Sequence, residues 1–315
     1  MNRTVSVVLA TYNGERYLEE QLQSILAQSY ANLEIIISDD NSGDSTISLV
    51  KSYACKDSRI KLLTNPKQIG IVPNFLNALK SATGNYICFS DQDDYWEREK
   101  VKTLVELIEQ NNQNMLAYSD LGICDQGLGI RSPSFWRSSG IRPLQGCCDE
   151  RILIRNLTPG CSMLFRGEVK KKLETSSIHP PFMHDHLAFA LSSAIGRVVF
   201  TPQPLVRYRQ HSGNSIGVDN SSAFDATAFA VGLMQRITFF KDNFGNAVNF
   251  DLEKIASFCR DYANAPKHLG NWSYHKYYQF MRPLGLKFGL TGAIECIFPK
   301  FYSALTAKKR HERGL

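Results

Sequence analysis

Over the first 110 positions, apolar residues alternate between short unbroken runs and helical periodicities. Val5-Ser-Val-Val-Leu-Ala10 is an almost continuous apolar run, the pattern of a parallel strand covered on both faces. It ends in the polar turn Thr11-Tyr-Asn-Gly14, and Leu18, Leu22, Ile25 and Leu26 then recur at helical spacing within Glu15–Gln28. A second strand, Leu33–Ser38, runs into Asp39-Asp-Asn-Ser-Gly-Asp44, and a helix follows to about Tyr53. Ile60–Leu63 predicts a third strand, Asn65–Gly70 a loop, and Pro73–Ala82 a helix closed by Gly84 as its C-cap. Tyr86–Ser90 is a fourth strand, and Glu97–Gln110 a helix that buries Val101, Leu104, Val105 and Ile108. Such alternation predicts a parallel sheet joined by right-handed crossovers, with ligands at the strands' C-terminal ends.

From Met115 the pattern changes. Met115–Ser119 and Ile123 read as short strands, and Asp125–Gly146, rich in Gly, Ser, Pro and Arg, as a long irregular loop, either functional or mobile. Arg151–Asn156 predicts a short helix, Cys161–Phe165 a strand and Arg166–Leu173 a helix, before Pro180-Pro181 breaks the chain. Leu187–Ala194 is helical; Val198–Phe200 and Leu205–Arg209 are strands, and the remainder from Ser222 is mainly helical. The expected organisation is a domain over residues 1–218, whose pattern changes near residue 120, followed by a helical region (219–315).

Composition narrows the class. Hydrophobic residues make up 43% and charged residues 21%, as in ordinary water-soluble folds. The net charge of +6 is uneven, since from Lys267 onward nine Lys/Arg face two Glu. The eight cysteines have no CxxC pair or zinc-site spacing, which suits reduced thiols and a cytoplasmic location. Met1-Asn-Arg-Thr leads straight into a strand, and no run of 18 uncharged apolar residues predicts a membrane span. There is no GxGxxG after the first strand and no GxxxxGK[ST], which argues against dinucleotide oxidoreductases and P-loop NTPases. A nucleic-acid partner is not expected.

The chemistry concentrates where the fourth strand ends, at Asp91-Gln-Asp-Asp94. Three carboxylates beside a buried strand repel one another and lose hydration, and a divalent cation with oxygen ligands, Mn²⁺ or Mg²⁺, relieves both. The bland alternative is a solvated turn and helix cap, which Asp also favours.

In this order and at these separations, Val5–Asn13, Gln28-Ser-Tyr30, Glu34–Ser45 and Asp91–Trp96 resemble the family 2 glycosyltransferases of the GT-A fold. The resemblance spans roughly residues 4–215 and implies a nucleotide-sugar-binding half (1–120) and an acceptor-binding half (121–218) within the domain 1–218. His184-Asp185 and Tyr208-Arg-Gln-His-Ser-Gly-Asn214 further resemble the rhamnosyltransferase-like members that build bacterial surface polysaccharides. It implies a metal-dependent, inverting transfer of a sugar from a nucleotide-diphosphate donor (dTDP-rhamnose or a UDP-sugar) to an oligosaccharide acceptor, lipid-linked and growing. Thr11, Tyr12, Asn13, Glu15, Asp40, Asn65, Asn74, Asp91 and Gln92 would then hold the donor, Asp40 through the pyrimidine ring and Asp91 through the ribose. Asp93 and His211 would hold the metal, and Asp185 would be the general base.

Gly160, Cys161, His184 and His186 would face the acceptor, with Gly160 permitting close backbone approach. Where relatives carry Glu-Asp followed by Trp, this chain has His184-Asp185-His186. Several of these residues have plainer alternatives: Asp185 as a helix cap, His211 as a structural histidine, Arg207 and Arg209 as outward strand charges rather than phosphate ligands. Tyr277, Tyr278, Phe280, Met281, Leu284, Leu286 and Phe288, interleaved with Lys and Arg, read either as a surface resting on anionic membrane at the inner face or as a helical cap. A sugar nucleotidyltransferase and a non-catalytic nucleotide-sugar-binding protein are the competing readings.

Overall fold

The computed structural model describes residues 3–148, 151–154, 156–175, 182–214 and 226–244. Contacts divide the chain into two units, Met1–Cys148 with Arg155–Val218, and Asp149–Ile154 with Asp219–Leu315.

The first unit opens with β1 (Val5–Thr11), α1 (Leu18–Leu26), β2 (Leu33–Asp39), α2 (Thr46–Ala54), β3 (Ile60–Thr64), α3 (Ile71–Lys80), β4 (Tyr86–Ser90), β5 (Tyr95–Trp96) and α4 (Lys100–Glu109). β6 (Asn114–Cys124), β7 (Ile130–Ser132) and α5 (Phe135–Ser138) follow. In the second unit, the short α6 (Arg151–Ile154) packs with α9 (Ala226–Phe244). The first unit resumes with a 3₁₀ turn (Gly160–Ser162), β8 (Met163–Arg166), α7 (Gly167–Thr175), α8 (His184–Ile195) and β9 (Arg197–Arg209).

The nine strands form one sheet of order β3-β2-β1-β4-β8-β6-β9-β5, with β7 paired to β6. β1 lies between β2 and β4, parallel to both, and its apolar run is buried on both faces. Leu18, Leu22 and Ile25 of α1 join Val5, Val7, Leu9, Ile35 and Ile37 in the core. Burial of such side chains, each worth roughly 1.5–3 kcal/mol, fixes the sheet and hence where its loops emerge.

The sheet is parallel only in part. β8 runs antiparallel to both β4 and β6, whereas β9 returns parallel to β6. The change of direction comes from β8, whose pairing is long-range and leaves no mark in local periodicity. Met115–Ser119 and Ile123 belong to the single strand β6, and Val198–Phe200 and Leu205–Arg209 to β9; register shifts along their pairing accommodate the residues between.

Other boundaries also move. α3 ends at Ser81, and Gly84 is not its C-cap. A Cβ at Gly84 would stand 2.6 Å from Ser6 Oγ and 2.8 Å from the Thr4 carbonyl oxygen, so Gly84 is there for close packing on β1. Cys161 and Ser162 lie in the 3₁₀ turn rather than in β8, and α8 begins three residues earlier than Leu187. The stretch 125–146 contains β7 and α5. Pro180-Pro181, the Tyr277–Phe288 surface and the basic tail Lys308–Arg313 lie outside the described residues.

Candidate active site

A cleft of about 710 Å³ opens at the C-terminal ends of β1 and β4. Tyr12, Asp40, Asn74, Asp91, Gln92 and Asp93 line one part of it, and Gly160, His184, Asp185, His186 and Tyr208 another. Of the residues expected to hold a donor, Asn13, Glu15 and Asn65 are absent from its walls.

Those three brace the loops instead. Asn13, at φ 46°, takes a left-handed conformation that Asn tolerates, and its Oδ1 accepts the Gly43 N–H at 2.9 Å. Glu15 accepts the Ser45 N–H at 2.8 Å, while Asp44 accepts from Glu15 N and Thr46 N. The β1–α1 and β2–α2 loops are thereby tied to each other. Buried Asn65 donates to Asp40 Oδ1 and to Asn74 Oδ1, and Asn74 donates to the Thr11 carbonyl. Thr11 lines the cleft, but its hydroxyl donates to Asp39 at 2.7 Å.

Asp40 is 3% exposed, and its carboxylate also accepts the Ile69 and Gly70 N–H groups, each at 2.8 Å. Gly70 has φ 94°, a region open to glycine at little cost, which turns its amide toward Asp40. Gln92 clamps the first loop by accepting the Tyr12 N–H at 2.9 Å and donating to the Tyr12 carbonyl at 3.1 Å. The Tyr12 side chain is left exposed on the rim.

The carboxylate cluster sits deeper. One ligating atom each of Asp91, Asp94 and Cys161 fall within 4.8 Å of one another. Asp94 is fully buried; its Oδ1 accepts the Arg209 N–H, and its Oδ2 has no hydrogen-bond partner. Burial, then Asp93 and Asp185, push the Asp91 carboxyl up to about 7, and burial with Asp93 and Asp91 raises Asp94 as well. Beneath them Lys100 is buried, its Nζ 2.9 Å from the centre of the Trp96 ring and without a hydrogen-bond partner. Burial lowers its amine to about 8.

Asp93 meets His211 across the cluster, Oδ2 to Nε2 at 2.9 Å. His211 Nδ1 accepts the Gly213 N–H at 3.1 Å, so the ring proton sits on Nε2 and is donated to Asp93. The Tyr17 ring supports the imidazole at 4.7 Å between centroids. Carboxylate oxygens gathered around one uncompensated buried oxygen, with an imidazole beside them, form a donor set that fits Mn²⁺ or Mg²⁺. Cys161 is a poor partner for such hard ions, because burial holds its thiol protonated.

Asp185 lies in the first turn of α8, which follows the N-cap Met183. Its Oδ1 accepts the His186 N–H at 2.7 Å, and its Oδ2 accepts from Gly160 N at 3.0 Å and Asn156 Nδ2 at 2.9 Å. Hydrogen bonding at the helix start and exposure to the cleft are both present. A Cβ at Gly160 would stand 3.0 Å from Asp185 Cβ, so the close approach expected of this glycine is used against the carboxylate itself.

His184 is stacked on Phe75 at 3.8 Å and set edge-on to Phe89, and burial lowers its imidazole to about 4. His186 packs against Phe182. Arg207 pairs with Glu97 at 2.8 Å, and Arg209 is turned into the interior; neither lines the cleft. Asn156, Phe75 and Lys100 escaped the sequence reading, because an Asn in a loop and apolar or charged positions in helices carry no local sign of a tertiary partner.

The glycosyl transferase family 2 profile matches residues 6–171. The chain is 27% identical over 239 residues to the dTDP-rhamnosyl transferase RfbG of Shigella flexneri, covering 72% of this chain and 79% of that protein. It is 39% identical over 108 residues to WfgD of Escherichia coli, named a UDP-Glc:alpha-D-GlcNAc-diphosphoundecaprenol beta-1,3-glucosyltransferase, covering 34% of this chain and 42% of that one. Among solved structures, Staphylococcus aureus TarS (residues 1–349) with UDP-GlcNAc is similar at a TM-score of 0.59 and 20% identity, over 96% of this chain and 83% of that one. The mannosyltransferase PcManGT of Pyrobaculum calidifontis, with GDP-Man and Mn²⁺, is similar at 0.55 and 18% identity, over 97% and 83%. With its family profile matched over more than half its length and a fold shared with these structures, the chain belongs to glycosyl transferase family 2 and is a glycosyltransferase of the GT-A type.

Proposed function

We propose that this enzyme transfers a sugar from a nucleotide-diphosphate donor, with inversion, to a hydroxyl of a growing bacterial surface glycan. The observation that carries the reading is one cleft holding Asp185 together with Asp91 and Asp93. RfbG, named for dTDP-rhamnosyl transfer, supports the donor, and WfgD, named for a diphosphoundecaprenol-linked acceptor, supports a glycan built on a lipid carrier. The donor class follows TarS with UDP-GlcNAc and PcManGT with GDP-Man.

Asp93, with Asp91 and Asp94 at hand, would hold Mn²⁺ or Mg²⁺, and His211 would join them by giving up its Nε2 proton and its bond to Asp93. When bound, the cation stabilises negative charge on the departing diphosphate. Tyr12, Asp40, Asn74 and Asp91 border the nucleotide's share of the cleft, and the bracing of Asp40 by Asn65, Ile69 and Gly70 orients its carboxylate before a ligand arrives. Asp185 takes the proton of the acceptor hydroxyl as that oxygen attacks the anomeric carbon opposite the diphosphate. The Gly160 and Asn156 hydrogen bonds fix the carboxylate so that no side-chain search precedes the proton transfer.

The test is calorimetric titration of UDP and dTDP, each with and without Mn²⁺, into wild type and Asp93→Ala. Metal-dependent binding that disappears in the variant is expected, and the preferred base narrows the donor list. Folded wild type that binds neither nucleotide would refute the reading. Asp185→Asn should lower transfer by about 10³-fold while leaving nucleotide affinity near wild type; loss of both would remove Asp185 from the role of base.

A further inference from the structure

Arg207 and Arg209 are two residues apart on β9, yet only Arg207 reaches the protein surface. The Arg209 side chain is 2% exposed and lies under the Tyr17 ring, 4.5 Å from its centre. Every nitrogen of its guanidinium is bound: Nε donates to the Asp93 carbonyl at 2.7 Å, Nη1 to the Gln126 carbonyl and Nη2 to Glu20. Its own N–H donates to Asp94 Oδ1 at 3.1 Å, and its carbonyl accepts from Asn214 Nδ2 at 3.1 Å. Asn214 in turn accepts the His211 N–H and comes within 3.5 Å of Asp93 Oδ2.

We propose that Arg209 is a positioning residue that fixes the Asp93 and His211 side chains against each other by holding the backbone on both sides of their contact. Asp93 belongs to the β4–β5 loop and His211 to the segment after β9, more than 100 residues apart in sequence. The β5–β9 ladder pairs Tyr95 with Arg207 and Trp96 with Val206 just beside these loops; from there to the Asp93–His211 contact, the bonds that Arg209 and Asn214 make span the two. The guanidinium also gathers α1 through Glu20 and the β6–β7 turn through Gln126, so that three segments converge behind the metal-side residues. Only a planar fork serves three separated acceptors at once; the point charge of lysine keeps one of them. Without the fork, the part-buried Asp93 carbonyl loses its donor and the loop gains freedom.

The inference rests on the proposed role of Asp93 and His211 in holding a cation, and two independent readouts separate its failure from failure of that role. In the full-length protein without ligand, Arg209→Lys and Arg209→Met are expected to raise amide exchange in residues 91–96 and 210–214 by about tenfold or more, with β1 unchanged. In the same variants the affinity for UDP in the presence of Mn²⁺ should fall by about tenfold, with Arg209→Lys melting close to wild type. Unchanged exchange in the two segments would overturn the proposal, as would a lowered melting temperature with unaltered UDP–Mn²⁺ affinity. Should Arg209→Met fail to fold, Arg209→Lys decides. Should wild type bind no nucleotide, the cation-holding role falls and the exchange comparison alone judges whether Arg209 fixes the two loops.

Discussion

His184 shows how much a single environment changes a side chain. Stacked on Phe75 and buried to all but its edge on the cleft, its imidazole is neutral at physiological pH, whereas in the unfolded chain it titrates near 6.5. The native form therefore refuses a proton that the unfolded form accepts between pH 6.5 and about 4. Stability from this source is complete above pH 6.5 and is lost as pH falls. Between pH 8 and 5 the loss should be about 2 kcal/mol, and His184→Phe, which keeps the stack, should remove it from urea-unfolding curves. Gly160 carries the complementary constraint, since any side chain there presses on Asp185. Gly160→Val should reduce transfer by about tenfold or more while melting within a few degrees of wild type, because the displaced group is the proposed base.

At the scale of elements, the sheet reads most clearly where each strand is buried on both faces. β1 and β4 were legible almost to the residue because an apolar run bounded by turn residues has few other uses. β5, two residues long, was not, because its only warrant is the β9 backbone across from it. Gly84 looked like a helix cap and is instead a packing glycine against β1. Gly84→Ala should therefore cost about 1–3 kcal/mol, as overpacking does, measurable as a lower urea midpoint at constant slope. A capping role would leave the cost at about 1 kcal/mol and confine the change to α3, which amide exchange distinguishes.

At the scale of the whole chain, charge is the property that no single element carries. The nine Lys/Arg and two Glu from Lys267 onward make that segment basic against a chain of net charge +6. Among the described residues no helix is long and apolar enough to cross a membrane. If the acceptor is lipid-linked, as proposed, a basic segment would hold the chain at an anionic surface at about 1 kcal/mol per cationic residue near it. Flotation with phosphatidylserine-containing vesicles should retain the full chain at low salt and release it at high salt. Deletion of residues 267–315 that leaves flotation unchanged would count against that surface.

Sequence alone determined the alternation of strands and helices, the carboxylate turn after β4, and the family to which these belong. Each is local: a run, a period or a short motif read within a few residues of itself. Tertiary structure decided what the polar residues are used for. Asn13, Glu15 and Asn65 have the composition of ligand contacts but brace loops, and Arg209 has that of a surface charge but holds the interior of the site. The reversal of β8, the stacking of His184 and the meeting of Asp93 with His211 likewise depend on partners far along the chain. Hydrogen-bond geometry and burial act through space, and a sequence records only the identity of the groups that come to share it.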